Sequence, residues 1–177
     1  MLDLYNKYVT ANHLDIGVGT GYFMDNCVFP DANPTLVLMD LNSNSLQVAS
    51  KRLARYNPVV RRHNVLEPFD TETATFDSIG IMNLLHCLPG NMDAKRVVLE
   101  NAKSVMNPDA VLFGSTLLYK GVKRNPMATF ILEWNNNRGI MTNKDDDVEV
   151  LRESLQLCFT RSSVEIVGCM ALFYAYN

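Results

Sequence analysis

Short apolar runs alternating with amphipathic stretches constrain this chain more than any other feature. Five runs follow one another: "ANHLDIG", "TLVLMD", "PVVRRHNV", "FDSIGIMNLL" and "AVLFGSTLL". After the second, Leu46, Ala49, Leu53 and Tyr56 recur at helical spacing, with Asn42 or Ser43 as the cap. Before the fifth, Ala94, Val98, Ala102 and Val105 do the same and stop at a turn, Asn107-Pro108-Asp109. Strand, helix and strand in repetition predict βαβ units and a parallel sheet.

The last third changes style. Met127, Phe130, Ile131 and Trp134 share one helical face, which is expected to lie in the core. A second helix is expected from Thr142 or Asn143, with Asp145 to Asp147 in its first turn, where the helix dipole favours negative charge, and no metal is implied by them. "TRSSVEIV" and "CMALFYAY" then read as two strands joined by a tight turn at Gly168. So short a link forces them antiparallel, because a parallel pair needs a long crossover.

The 177 residues suffice for one packed domain, taken as residues 1–177. Hydrophobic residues at 47% and charged residues at 20% are an ordinary globular balance, and a net charge of −3 with mixed signs leaves no footprint for nucleic acid. Cys27, Cys87, Cys158 and Cys169 form no CxxC pair and no zinc spacing, so they read as reduced core thiols. No apolar run approaches the roughly 20 residues of a membrane span, and no basic-then-apolar leader opens the chain. A cytoplasmic protein is therefore expected.

"LDIGVGTGYF" carries the chemistry. A strand, a glycine-rich turn and a helix start together let backbone approach a ligand closely and aim free N–H groups at it. Asp40 closes the next strand, where a carboxylate can accept bonds from both ribose hydroxyls. A dinucleotide site wants G-x-G-x-x-G, yet Gly17, Gly19 and Gly21 stand at every second position, and Asp15 would repel a pyrophosphate. A ligand with a cationic amino group would instead be attracted by Asp15.

These segments resemble the class I S-adenosylmethionine (SAM)-dependent methyltransferases: "LDIGVGTGYF" their first motif, "LVLMDLN" their second and "FDSIGIMNLLHCL" their fourth. The resemblance implies a doubly wound α/β sheet of seven strands in the order 3-2-1-4-5-7-6, strand 7 antiparallel. It also implies SAM as methyl donor and S-adenosylhomocysteine (SAH) as product. Carried over by position, Asp15 would meet the methionine amino group, and Gly17, Gly19 and Gly21 would line the methionine and ribose. Asp40 would hold the ribose hydroxyls and Leu41 would pack on the adenine. Asn64, followed by Val65, stands where the family often has an aspartate touching the adenine amine, a bond an amide oxygen can also accept. Asn83 would sit beside the transferable methyl.

The sequence departs from the family pattern in three places. The usual Pro-Gly-Gly before strand 5 is Pro108-Asp109-Ala110. The Asn/Asp-Pro-Pro-aromatic signature of many enzymes that methylate nucleic acids or proteins is missing after Asn83, which favours a small-molecule acceptor. Only the residues up to Thr10 precede strand 1, so the N-terminal lid is expected to be short or absent. That implies an open site, a chain shortened at its start, or a lid supplied by a second subunit in a homodimer.

His86, just after strand 4, is the candidate catalytic base, since an imidazole at the carboxyl edge could take a proton from the acceptor. A packed loop histidine is the alternative. The leading reading is a small-molecule methyltransferase. Alternatives are a SAM-binding module without turnover, a macromolecular methyltransferase and a nicotinamide-dependent oxidoreductase.

Overall fold

The computed structural model describes residues 1–69 and 74–177. The strands are β1 (Asn12–Ile16), β2 (Thr35–Asp40), β3 (Val59–Arg62), β4 (Phe76–Met82), β5 (Met106–Leu117), β6 (Arg161–Val167) and β7 (Met170–Tyr176). Among the described residues they form one sheet in the order β3-β2-β1-β4-β5-β7-β6. β1 to β5 are parallel to one another, while β7 runs antiparallel to both β5 and β6. The expected order and the antiparallel ending are both present.

The helices are α1 (Leu2–Tyr8), α2 (Tyr22–Asn26), α3 (Ser43–Arg52), α4 (Arg96–Lys103), α5 (Pro126–Asn137) and α6 (Val148–Cys158). Two cores flank the sheet. Leu14, Ile79, Ile81 and Leu112 pack with Leu99 of α4 and with Leu151 and Leu155 of α6. Tyr5, Leu36, Leu38 and Phe113 pack with Met24 of α2 and with Leu46 and Ala49 of α3 on the other side. Cover on both faces explains why the parallel strands read as continuous apolar runs. Asn42 caps α3, accepting from the Asn44 N–H at 2.9 Å.

Four expectations fail locally. Cys27 and Cys158 are buried, but Cys87 is exposed and Cys169 only half-buried, so the four cysteines are not all core thiols. Asn107-Pro108-Asp109 does not separate a helix from a strand; it lies inside β5. Phe76 pairs with Met106 and Ser78 with Val111, so the surplus residues bulge outward, and Asp109 takes φ 61°. α6 starts at Val148, where Asp147 accepts from the Glu149 N–H at 2.8 Å, so only one of the three aspartates caps it. The face of α5 expected in the core points outward, with Met127 at 72% and Phe130 at 69% exposure. Buried Leu132 and half-buried Asn136 face inward instead, and Asn136 Nδ2 donates to buried Asn143 at 2.7 Å on that side.

Candidate active site

β1 delivers Asp15 to the carboxyl edge of the sheet, 3% exposed, where Tyr5 Oη donates to its Oδ1 at 2.7 Å. Its partner across the β1–β4 ladder is Gly80, and a Cβ there would stand 2.7 Å from Asp15 Oδ1. A mid-strand glycine thus makes room for the carboxylate. Burial raises the Asp15 pKa to about 7; the Asp40 charge adds to this and the Tyr5 hydroxyl bond opposes it. Without a cationic partner, this carboxylate is only partly ionised at neutral pH.

The turn after β1 needs its glycines. Gly17, Gly19 and Gly21 have φ of 72°, 52° and 71°, the left-handed region that side chains disfavour. A Cβ on Gly19 would touch nothing within 4 Å, so that backbone borders open space. The space is a hollow of about 210 Å³ whose walls include Tyr5, Asp15, Gly17, Gly19 and Asn83.

A smaller hollow of about 70 Å³ adjoins it, lined by Gly17, Asp40, Leu41, Asn64, Val65 and Leu84. Gly17 borders both, so the expected methionine-side and adenosine-side residues meet at one glycine. Asp40 Oδ1 accepts from the Asn42 N–H at 2.8 Å, and Leu41 is 56% exposed, an uncovered apolar side chain at the rim. Asn64 turns inward on its own loop, accepting from the Leu66 N–H and donating to Glu67 Oε1, each at 3.2 Å. Asn83 takes φ 56° immediately after β4, and Ser115 Oγ donates to its Oδ1 at 3.0 Å.

His86 stands apart. It lines neither hollow, and its Nδ1 accepts the Leu117 N–H at 3.1 Å. Burial lowers its pKa to about 4, and the nearby Lys95 charge adds to the shift. Around it lies a polar network that sequence reasoning missed. Lys95 and Asp146, both fully buried side chains, pair at 2.8 Å, and Lys95 Nζ also donates to the Thr142 carbonyl at 3.1 Å. The Thr142 N–H in turn donates to the His86 carbonyl at 2.9 Å. Tyr5, Ser115 and this ion pair left no signal in the sequence. Gly80, a lone glycine inside an apolar run, was the one readable sign.

Comparison with known proteins decides among the readings. The sequence profile of the family described as a methyltransferase domain matches residues 14–112. Demethylluteothin O-methyltransferase from Streptomyces thioluteus is 40% identical, over 98% of this chain and 76% of its own length. The chain belongs to the methyltransferase-domain family. This methyltransferase is also 38% identical to the physcion biosynthesis cluster O-methyltransferase of Aspergillus chevalieri, over 99% of this chain and 79% of that one.

Two solved structures share the methyltransferase's fold. An O-methyltransferase family protein from Burkholderia thailandensis has a TM-score of 0.76 at 15% identity; the match covers all of this chain but 55% of that one. The N-methyltransferase NodS from Bradyrhizobium japonicum WM9, solved in complex with SAH, has a TM-score of 0.66 at 18% identity, covering 99% of this chain and 82% of that one. Among the described residues of the methyltransferase no helix is long and apolar enough to cross a membrane, and no cluster of His, Cys, Asp and Glu could hold a metal ion.

Proposed function

We propose that this single domain takes a methyl group from SAM and transfers it to an oxygen of a small-molecule acceptor, releasing SAH. The observation that carries the reading is the pair of hollows that share Gly17 as a wall, with Asp15 in the wall of one and Asp40 in the wall of the other. Relatives named as O-methyltransferases support the oxygen acceptor.

The residues present fit the cofactor. A cationic amino group beside Asp15 restores the charge that burial suppresses there. Gly19, left-handed and bordering open space, presents bare backbone to the hollow. Asp40 accepts from ribose hydroxyls, Leu41 covers one face of the base, and Asn64 and Val65 border its edge. When bound, SAM supplies an already activated methyl group on a sulfonium. The protein's contribution is then orientation: Asn83, held by Ser115, sets the edge of the methionine hollow. We assign no proton to His86, whose Nδ1 lone pair is engaged by main chain; in this reading it braces the segment after β4.

The test is transfer from SAM carrying a labelled methyl group into a cell extract, followed by fractionation. The reading expects label in organic-extractable small molecules. Label in protein or nucleic acid, or label nowhere despite tight SAM binding, would refute it.

A further inference from the structure

α1 and Met1 before it meet two residues that wall the larger hollow, Asp15 and Asn83. Tyr5 Oη donates to Asp15 at 2.7 Å, and Met1 Sδ lies 3.5 Å from Asn83 Nδ2 and 3.6 Å from Ser115 Oγ. Seven residues are too few for a helix to persist alone in water, so the order of α1 comes from its tertiary anchors. Tyr5 is the deepest of these at 1% exposure. Its ring stacks on Phe23 at 5.5 Å and meets Phe113 edge-on at 5.0 Å. Packing alone would be served equally by phenylalanine. The hydroxyl is the added feature, and it donates to the carboxylate that borders the hollow.

A phenol that donates one hydrogen bond keeps lone pairs to accept another, and a carboxylate accepts several. Tyr5 and Asp15 together therefore offer two oxygens to a single ammonium group, which has three N–H donors. We propose that Tyr5 is a cofactor-positioning residue that couples α1 to occupancy of the hollow: the ligand's ammonium bridges Tyr5 and Asp15, so cofactor binding orders α1 and α1 in turn tightens cofactor binding. The inference rests on the SAM reading above and adds a moving part to that site.

The experiment uses SAH and 5′-methylthioadenosine, which keeps the adenosine and thioether but lacks the ammonium. Titrations are run on wild type, Tyr5→Phe and Asp15→Asn, with amide exchange followed over residues 2–8. Tyr5→Phe is expected to weaken SAH about tenfold, the size of one lost hydrogen bond to a charged group, and to leave methylthioadenosine unchanged. That second value also shows that the variant is folded. SAH should slow exchange across α1 in wild type and fail to do so in either variant. Equal SAH affinity in wild type and Tyr5→Phe, or slowed exchange that survives in both variants, would overturn the coupling while leaving the SAM site intact. Wild type that binds neither ligand would overturn the cofactor reading and the coupling with it.

Discussion

At the β1–β2 end of the carboxyl edge, the candidate site is written in backbone. Three left-handed glycines shape it, Gly80 makes room for its buried carboxylate, and Asp15 and Asp40 come directly from strand ends. At the β4–β5 end the polar groups hold one another instead. His86 hangs on the Leu117 N–H and on Thr142, and Thr142 on Lys95, which is clamped by Asp146. The first arrangement leaves hollows walled largely by main chain; the second is a run of side-chain and main-chain bonds across distant segments. Shape for a ligand rests on the glycine backbone, with Gly80 brought from β4 to make room for Asp15, whereas the brace beside it rests on polar side-chain pairs.

The largest expected effect breaks the brace and spares the glycine end. Lys95→Met leaves Asp146 buried without its cation, which costs on the order of 3–5 kcal/mol, measurable by urea unfolding. Replacing both partners with apolar residues, as in Lys95→Met with Asp146→Leu, should recover most of that loss. If the single variant is as stable as wild type, the network is not the brace described here.

A smaller effect sharpens the glycine end. Asp15 must be ionised to meet an ammonium, and its pKa in the ligand-free protein is raised to about 7. SAH affinity should therefore fall as pH drops below 7, approaching about tenfold per unit, and level off above it. Asp15→Asn should flatten the profile. The sign for stability is opposite. A raised carboxyl pKa contributes stability below its unfolded value near 4 that is lost as pH rises through 7, so ligand-free wild type should gain on Asp15→Asn in acid. An SAH affinity independent of pH would show that Asp15 does not face the charged group.

The same contrast explains what could be read from the chain. β2, the Asn42 cap and the turn at Gly168 stand where local pattern put them, as do the glycine turn and its two carboxylates. Features set by partners far along the chain were illegible. The outward face of α5 goes with the contact between Asn136 and Asn143, the late start of α6 with Asp146 turned into the core beside Lys95, and the bulge in β5 with its register against Phe76 and Ser78. Tyr5 was hidden for the same reason, since only the fold brings it to Asp15. Helical periodicity found the apolar stripe of α5 correctly, but periodicity does not say which side is covered.

The most direct test of the central claim is calorimetric titration of wild type and Asp40→Ala with SAM, SAH and NAD. Wild type is expected to bind SAM and SAH with micromolar affinity and NAD not at all, and Asp40→Ala to lose roughly ten- to a hundredfold, the size of a charge-assisted hydrogen bond. Binding of NAD in preference to SAM, or SAH affinity indifferent to Asp40, would contradict that claim.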